Sequence, residues 1–123
     1  MTDTLFNLTL KVGAVDVRKQ VIYIPQKDKG YDLAFNVQYS NAVVYNLTNY
    51  NVNLKTWAPS APGTLLVNNV CSAVNAMNGT CNYTLKAGDF NTVGIYYAEL
   101  EATNSNVIVA STETFKIIVA ESG

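Results

Sequence analysis

The stretch Asp32-Leu-Ala-Phe-Asn-Val-Gln-Tyr39 alternates strictly, with Leu33, Phe35, Val37 and Tyr39 on one side and Asp32, Ala34, Asn36 and Gln38 on the other. Side chains of an extended strand point to opposite faces with a period of two, so this pattern predicts a strand buried on one face. The same period continues outward in both directions. Upstream, Phe6, Leu8, Leu10 and Val12 alternate with Asn7, Thr9 and Lys11, and the run Val21 to Ile24 ends at Pro25. Proline cannot donate to a central ladder, which places that run at an edge or a strand end. Downstream, Val43 to Tyr45 reads as a short strand, and Val52, Leu54 and Thr56 alternate with Asn51, Asn53 and Lys55 until Pro59 and Pro62-Gly63 break the pattern. Thr64 to Val67 is followed by two strands joined around Asn75 to Gly79, the second running from Thr80 to Leu85. Tyr96, Ala98, Leu100 and Ala102 then oppose Tyr97, Glu99, Glu101 and Thr103, and a last strand over Thr112 to Val119 buries Phe115, Ile117 and Val119. No segment carries a helical period, and strand candidates recur every roughly 10 to 15 residues with turn signals between them, the pattern of a sandwich or barrel.

Composition narrows the function classes. The chain has 123 residues, 49% hydrophobic and 14% charged, which fits one folded domain rather than a disordered segment. Its net charge is −1 and its eight basic residues are scattered, so it lacks the footprint needed to neutralise a phosphate backbone, and nucleic acid is not an expected partner. The longest apolar runs, Val107 to Ala110 and Ile117 to Ala120, fall far short of the roughly 20 residues of a membrane-spanning helix. The N-terminus lacks the basic start and continuous apolar stretch of a secretory signal, which predicts synthesis in a cytoplasm. Fifteen asparagines create four N-x-S/T sequons, at Asn7, Asn46, Asn78 and Asn82. A chain this rich in Asn and Thr produces such sequons by chance.

The residues that carry chemistry are few. There is no histidine, which removes the commonest general base, metal ligand and pH switch. Most of the nine carboxylates, among them Asp3, Asp16, Asp28, Asp32, Glu113 and Glu121, fall at turn-like or outward positions. Glu99 and Glu101 share one strand face, where a solvated outer surface explains them better than a carboxylate site. Asp28, Asp32 and Asp89 do not form a recognisable calcium loop. No catalytic residue, metal site or cofactor is predicted. Cys71 and Cys81 are placed opposite one another across a hairpin, with Val74 opposite Asn78, and are read either as a disulfide or as two buried thiols. Trp57 shares the outward phase of Asn51, Asn53 and Lys55 unless a bulge intervenes, and becomes a candidate interface anchor or an aromatic lid. Tyr50 joins it as an interface candidate. Residues 1–19 precede the sandwich expected over 20–123 and are read as an extra strand or docking arm, with Phe6 and Leu8 as its interface candidates. Tyr96, two residues after Gly94, fits the tyrosine corner of sandwiches, whose hydroxyl bonds back to nearby backbone.

Three stretches resemble the N-terminal domain of phage baseplate upper proteins. They are Lys29-Gly-Tyr-Asp-Leu-Ala-Phe-Asn-Val37; Tyr45-Asn-Leu-Thr-Asn-Tyr-Asn-Val-Asn-Leu-Lys-Thr-Trp57; and Gly79-Thr-Cys-Asn-Tyr-Thr-Leu85 with Gly94-Ile-Tyr-Tyr-Ala-Glu-Leu100. Asn46 and Asn49 stand where the family usually has Asp and Gly. The resemblance spans residues 20–119. It implies an immunoglobulin-like antiparallel β-sandwich, here of about 7–9 strands, and a virion part without catalytic residues. The expected function is therefore a non-enzymatic structural protein of a tailed virus, as a capsid decoration or a baseplate or tail module. It would be present in many copies or as a homo-oligomer and contact other virion proteins. The alternative is an extracellular or cell-surface adhesin or carbohydrate-binding module, in which Trp57, Tyr50 and Asn side chains would hold a glycan.

Overall fold

The computed structural model describes residues 4–12, 20–26, 30–39, 41–86, 88–105 and 107–121. Among the described residues, ten strands form two sheets: β1 (Thr4–Lys11), β2 (Val21–Pro25), β3 (Asp32–Gln38), β4 (Asn51–Ala58), β5 (Ala61–Val70), β6 (Ser72–Asn75), β7 (Thr80–Thr84), β8 (Gly94–Asn104), β9 (Val107–Ser111) and β10 (Phe115–Ala120). The first sheet has the order β1-β3-β7-β6. The second has β2-β10-β8-β4-β5, with β9 pairing β8 alongside β10.

The all-β sandwich expected from the alternation is the observed architecture. Leu33, Phe35, Val37 and Tyr83 project from the first sheet, and Leu54, Leu100, Phe115, Ile117 and Val119 from the second, into one buried cluster. The rings of Phe35 and Phe115 meet across it at 5.9 Å.

Two of the pairings are parallel, β1 with β3 and β2 with β10, so both sheets are mixed rather than purely antiparallel. Alternation tells which face a side chain takes and nothing of strand direction. One strand of the other sheet, β2, lies between β1 and β3 in sequence, and two reversals of direction leave β1 and β3 running the same way.

Four local expectations need correction. Tyr39 lies just past the end of β3 and is exposed, its ring tilted against that of Tyr45 with centroids 5.0 Å apart instead of continuing the inward row. The expected strand over Val43 to Tyr45 is a single bridge, Val44 to Gln38. Glu113 is buried, not outward: its carboxylate accepts the Lys11 backbone N–H at 2.7 Å, and its own N–H donates to the Lys11 carbonyl at 2.8 Å. This reciprocal pair ties the end of β1 to the approach to β10.

The fourth correction concerns the hairpin register, which pairs Ser72 with Asn82 and Ala73 with Cys81, so Cys71 is not opposite Cys81. A 3-10 turn over Ala76–Asn78 and Gly79 in the left-handed region (φ 75°) consume the loop residues differently. Gly79 is required there, because a Cβ would stand 2.5 Å from the Val37 carbonyl oxygen and 2.7 Å from that of Tyr45.

Candidate interaction surface

Strand β4 presents Val52, Leu54 and Thr56 to the core and Asn53, Lys55 and Trp57 to the opposite side. Trp57 thus points outward as its phase predicts, although β5 is bulged beside it. Cross-strand register sets the neighbours. Val21, Lys116, Tyr97, Trp57 and Leu65 form one row across five of the six strands of the second sheet, and Tyr23, Ile118 and Ile95 form the next.

Directly opposed residues in adjacent strands lie within about 5 Å at Cβ, so these rows make one band. Tyr23, Ile95 and Leu65 are exposed, while Trp57 and Tyr97 are half-buried against each other, edge to face with centroids 6.5 Å apart. Isolated exposed apolar residues are ordinary; a contiguous band is what marks an interaction surface.

Polar rows border the band. Lys55 forms an ion pair with Glu101 at 2.5 Å, and Glu101 is buried rather than on the solvated outer surface expected of it. Burial, and next the Glu101 charge, push the Glu99 carboxyl upward, with Lys55 opposing them. Asn53 bonds Asn68 at 3.2 Å.

The remaining candidates separate. Leu8 is a core residue at 3% exposure, and Phe6 packs partly buried against that core, because β1 is hydrogen-bonded into the first sheet. Tyr50 is half-buried, its ring 6.2 Å from that of Tyr45. Tyr96 donates its hydroxyl to the Thr92 carbonyl at 2.5 Å, four residues upstream, which is the geometry of a tyrosine corner.

Asp32 accepts from Thr84 Oγ1 at 2.5 Å and Asn82 Nδ2 at 3.3 Å, while Asp89 accepts from the Tyr83 hydroxyl and the Lys86 N–H. Both are thus structural acceptors; Asp28 lies outside the described residues. Among the described residues, no three metal-binding side chains converge. Cys71 and Cys81 are both buried as free thiols and share the lining of a cavity of about 170 Å³ with Leu47, Tyr50, Asn51, Val52 and Ala73. A hydrogen bond to Cys81, and next burial, raise the Cys71 thiol far above its usual range.

Sequence reasoning found Trp57 but missed the band around it. Tyr97 and Leu65 come to oppose Trp57, and Val21 and Ile95 join the same surface, only through strand order and register.

No curated protein matches the chain. Among solved structures, the N-terminal domain of phage TP901-1 ORF48 is similar, with a TM-score of 0.66 at 17% identity over 96% of this chain and 100% of that one. At that identity the likeness shows the fold. The family model described as the BppU N-terminal domain matches residues 4–123, nearly the whole length and including β1. The chain belongs to the BppU N-terminal domain family.

Proposed function

We propose that this chain is a non-catalytic structural module of a phage virion, an immunoglobulin-like sandwich held in the baseplate by protein–protein contacts. The observation that carries the reading is the band of aromatic and aliphatic residues across the second sheet, interrupted by Lys116 and centred on Trp57 and Tyr97, in a chain of the BppU N-terminal domain family. Membership of that family favours baseplate over capsid decoration. The tyrosine corner at Tyr96 supports the immunoglobulin-like description.

In this reading Trp57 anchors a neighbouring virion protein. Its ring is already half-ordered by Tyr97, so little side-chain entropy is lost on docking, and aromatic anchors of this kind dominate interface energetics. Multiple copies per particle would add avidity to a modest single contact.

The test is particle assembly with Trp57→Ala. Trp57 is outside the core, so the variant is expected to fold, while its incorporation into purified particles falls at least about tenfold, as a lost anchor of ~1.4 kcal/mol or more requires. Incorporation at the wild-type level would remove Trp57 and the band from the account.

A further inference from the structure

We propose that β5 is a self-association edge, along which two copies of this chain pair antiparallel across a two-fold axis at Asn68. Strand β5 closes one end of the second sheet and, among the described residues, pairs only with β4. Its hydrogen-bonding phase is fixed by two contacts: the Cys71 N–H donates to the Val52 carbonyl at 2.7 Å, and the Val67 N–H donates to Thr56 Oγ1 at 3.1 Å. In an antiparallel ladder successive residues direct their backbone groups to opposite sides. Val67, Asn69 and Cys71 therefore face β4, and the N–H and C=O groups of Asn68 and Val70 face the open edge.

Open edges are usually blunted by charge. Here none is available: the thirty residues between Lys55 and Lys86 include no Asp, Glu, Lys or Arg. Instead Leu66 and Val70 stand 51% and 57% exposed, with exposed Asn68 between them.

The occupant follows from the pattern itself. Leu66, Asn68 and Val70 read apolar, amide, apolar in either direction, so an antiparallel copy sets Leu66 against its partner's Val70 at both ends and Asn68 against itself on the axis. Apolar groups meet apolar groups, amide meets amide, and no like charges oppose. Two-fold contacts of this kind are isologous and close on themselves. The bulge at Leu66 keeps the ladder short, so the dimer is weak and depends on concentration.

The test uses the isolated full chain. Light scattering over rising concentration is expected to show a monomer–dimer equilibrium. Leu66→Lys with Val70→Lys, which opposes like charges, should weaken dimerisation at least tenfold, and Leu66→Lys with Val70→Glu should restore it. Independently of those variants, Asn68→Cys should join two chains through a short bis-maleimide, while Ile108→Cys, on the exposed edge strand β9, should not.

A monomer at every concentration overturns the proposal. So does a dimer indifferent to the paired lysines, or cross-linking through Ile108→Cys and not through Asn68→Cys. None of these readouts involves a virion, so failure here leaves the baseplate reading standing, and failure of particle incorporation leaves this one.

Discussion

Replacing Tyr96 with phenylalanine removes one oxygen and leaves the ring in place. Tyr96 is buried to 8% exposure, with its ring 5.6 Å from that of Phe90, and both features survive the change. What is lost is the 2.5 Å hydrogen bond to the Thr92 carbonyl, which pins the turn before β8 to the strand it feeds. A net hydrogen bond contributes about 1 kcal/mol, and because Thr92 is exposed, water can satisfy the freed carbonyl without an orphan penalty. The expected destabilisation is therefore about 1 kcal/mol, or about 3–5 °C in Tm for a domain of this size. Urea unfolding followed by tryptophan fluorescence measures it, with an unchanged m-value expected. A Tyr96→Phe variant as stable as the wild type would refute the structural role assigned to the corner.

Gly79→Ala places a methyl group against two carbonyl oxygens in a left-handed backbone, and a loss of at least ~2 kcal/mol in the same assay is expected. Burial, and next the Glu101 charge, push the Glu99 carboxyl above its ordinary value, so its ionised form weakens the fold at neutral pH. That penalty is relieved as pH falls through the folded value. Glu99→Gln should then slightly raise Tm at neutral pH, with the difference vanishing in acid; a variant less stable at neutral pH would contradict this. Cys71 and Cys81, buried and hydrogen-bonded as thiols, should resist a thiol reagent in the native protein and react on unfolding, whereas native modification at the rate of a free thiol would place them at the surface.

The elements with strict alternation are legible in the sequence itself. In β3, Leu33, Phe35 and Val37 are buried as the pattern requires, and Val52, Leu54 and Thr56 of β4 follow suit. Long-range pairing was not legible. The pattern of β1 identifies Leu8 and Leu10 as a row but cannot say that the row enters the core beside β3, so the sequence alone leaves Leu8 equally suited to an interface. Strand β5 was underread: only Thr64 to Val67 was expected, since Pro62 and Gly63 signal a break and the exposed Leu65, Leu66 and Val70 give no alternation. The hairpin register differs from the expected one because a 3-10 turn is indistinguishable from a three-residue hairpin loop in composition, although Cys71 and Cys81 still meet in a hydrogen bond. Trp57 was found because its phase within β4 is local. Its neighbours were not, because they come from four other strands.

The central claim, that this chain is a structural part of a phage particle, is tested most directly by quantitative mass spectrometry of gradient-purified virions together with the unassembled fraction. The account predicts the chain in intact particles at a fixed, multiple copy number, and in isolated baseplates after particle disruption. Its consistent absence from pure particles, with the protein recovered only in the unassembled fraction, would contradict the claim.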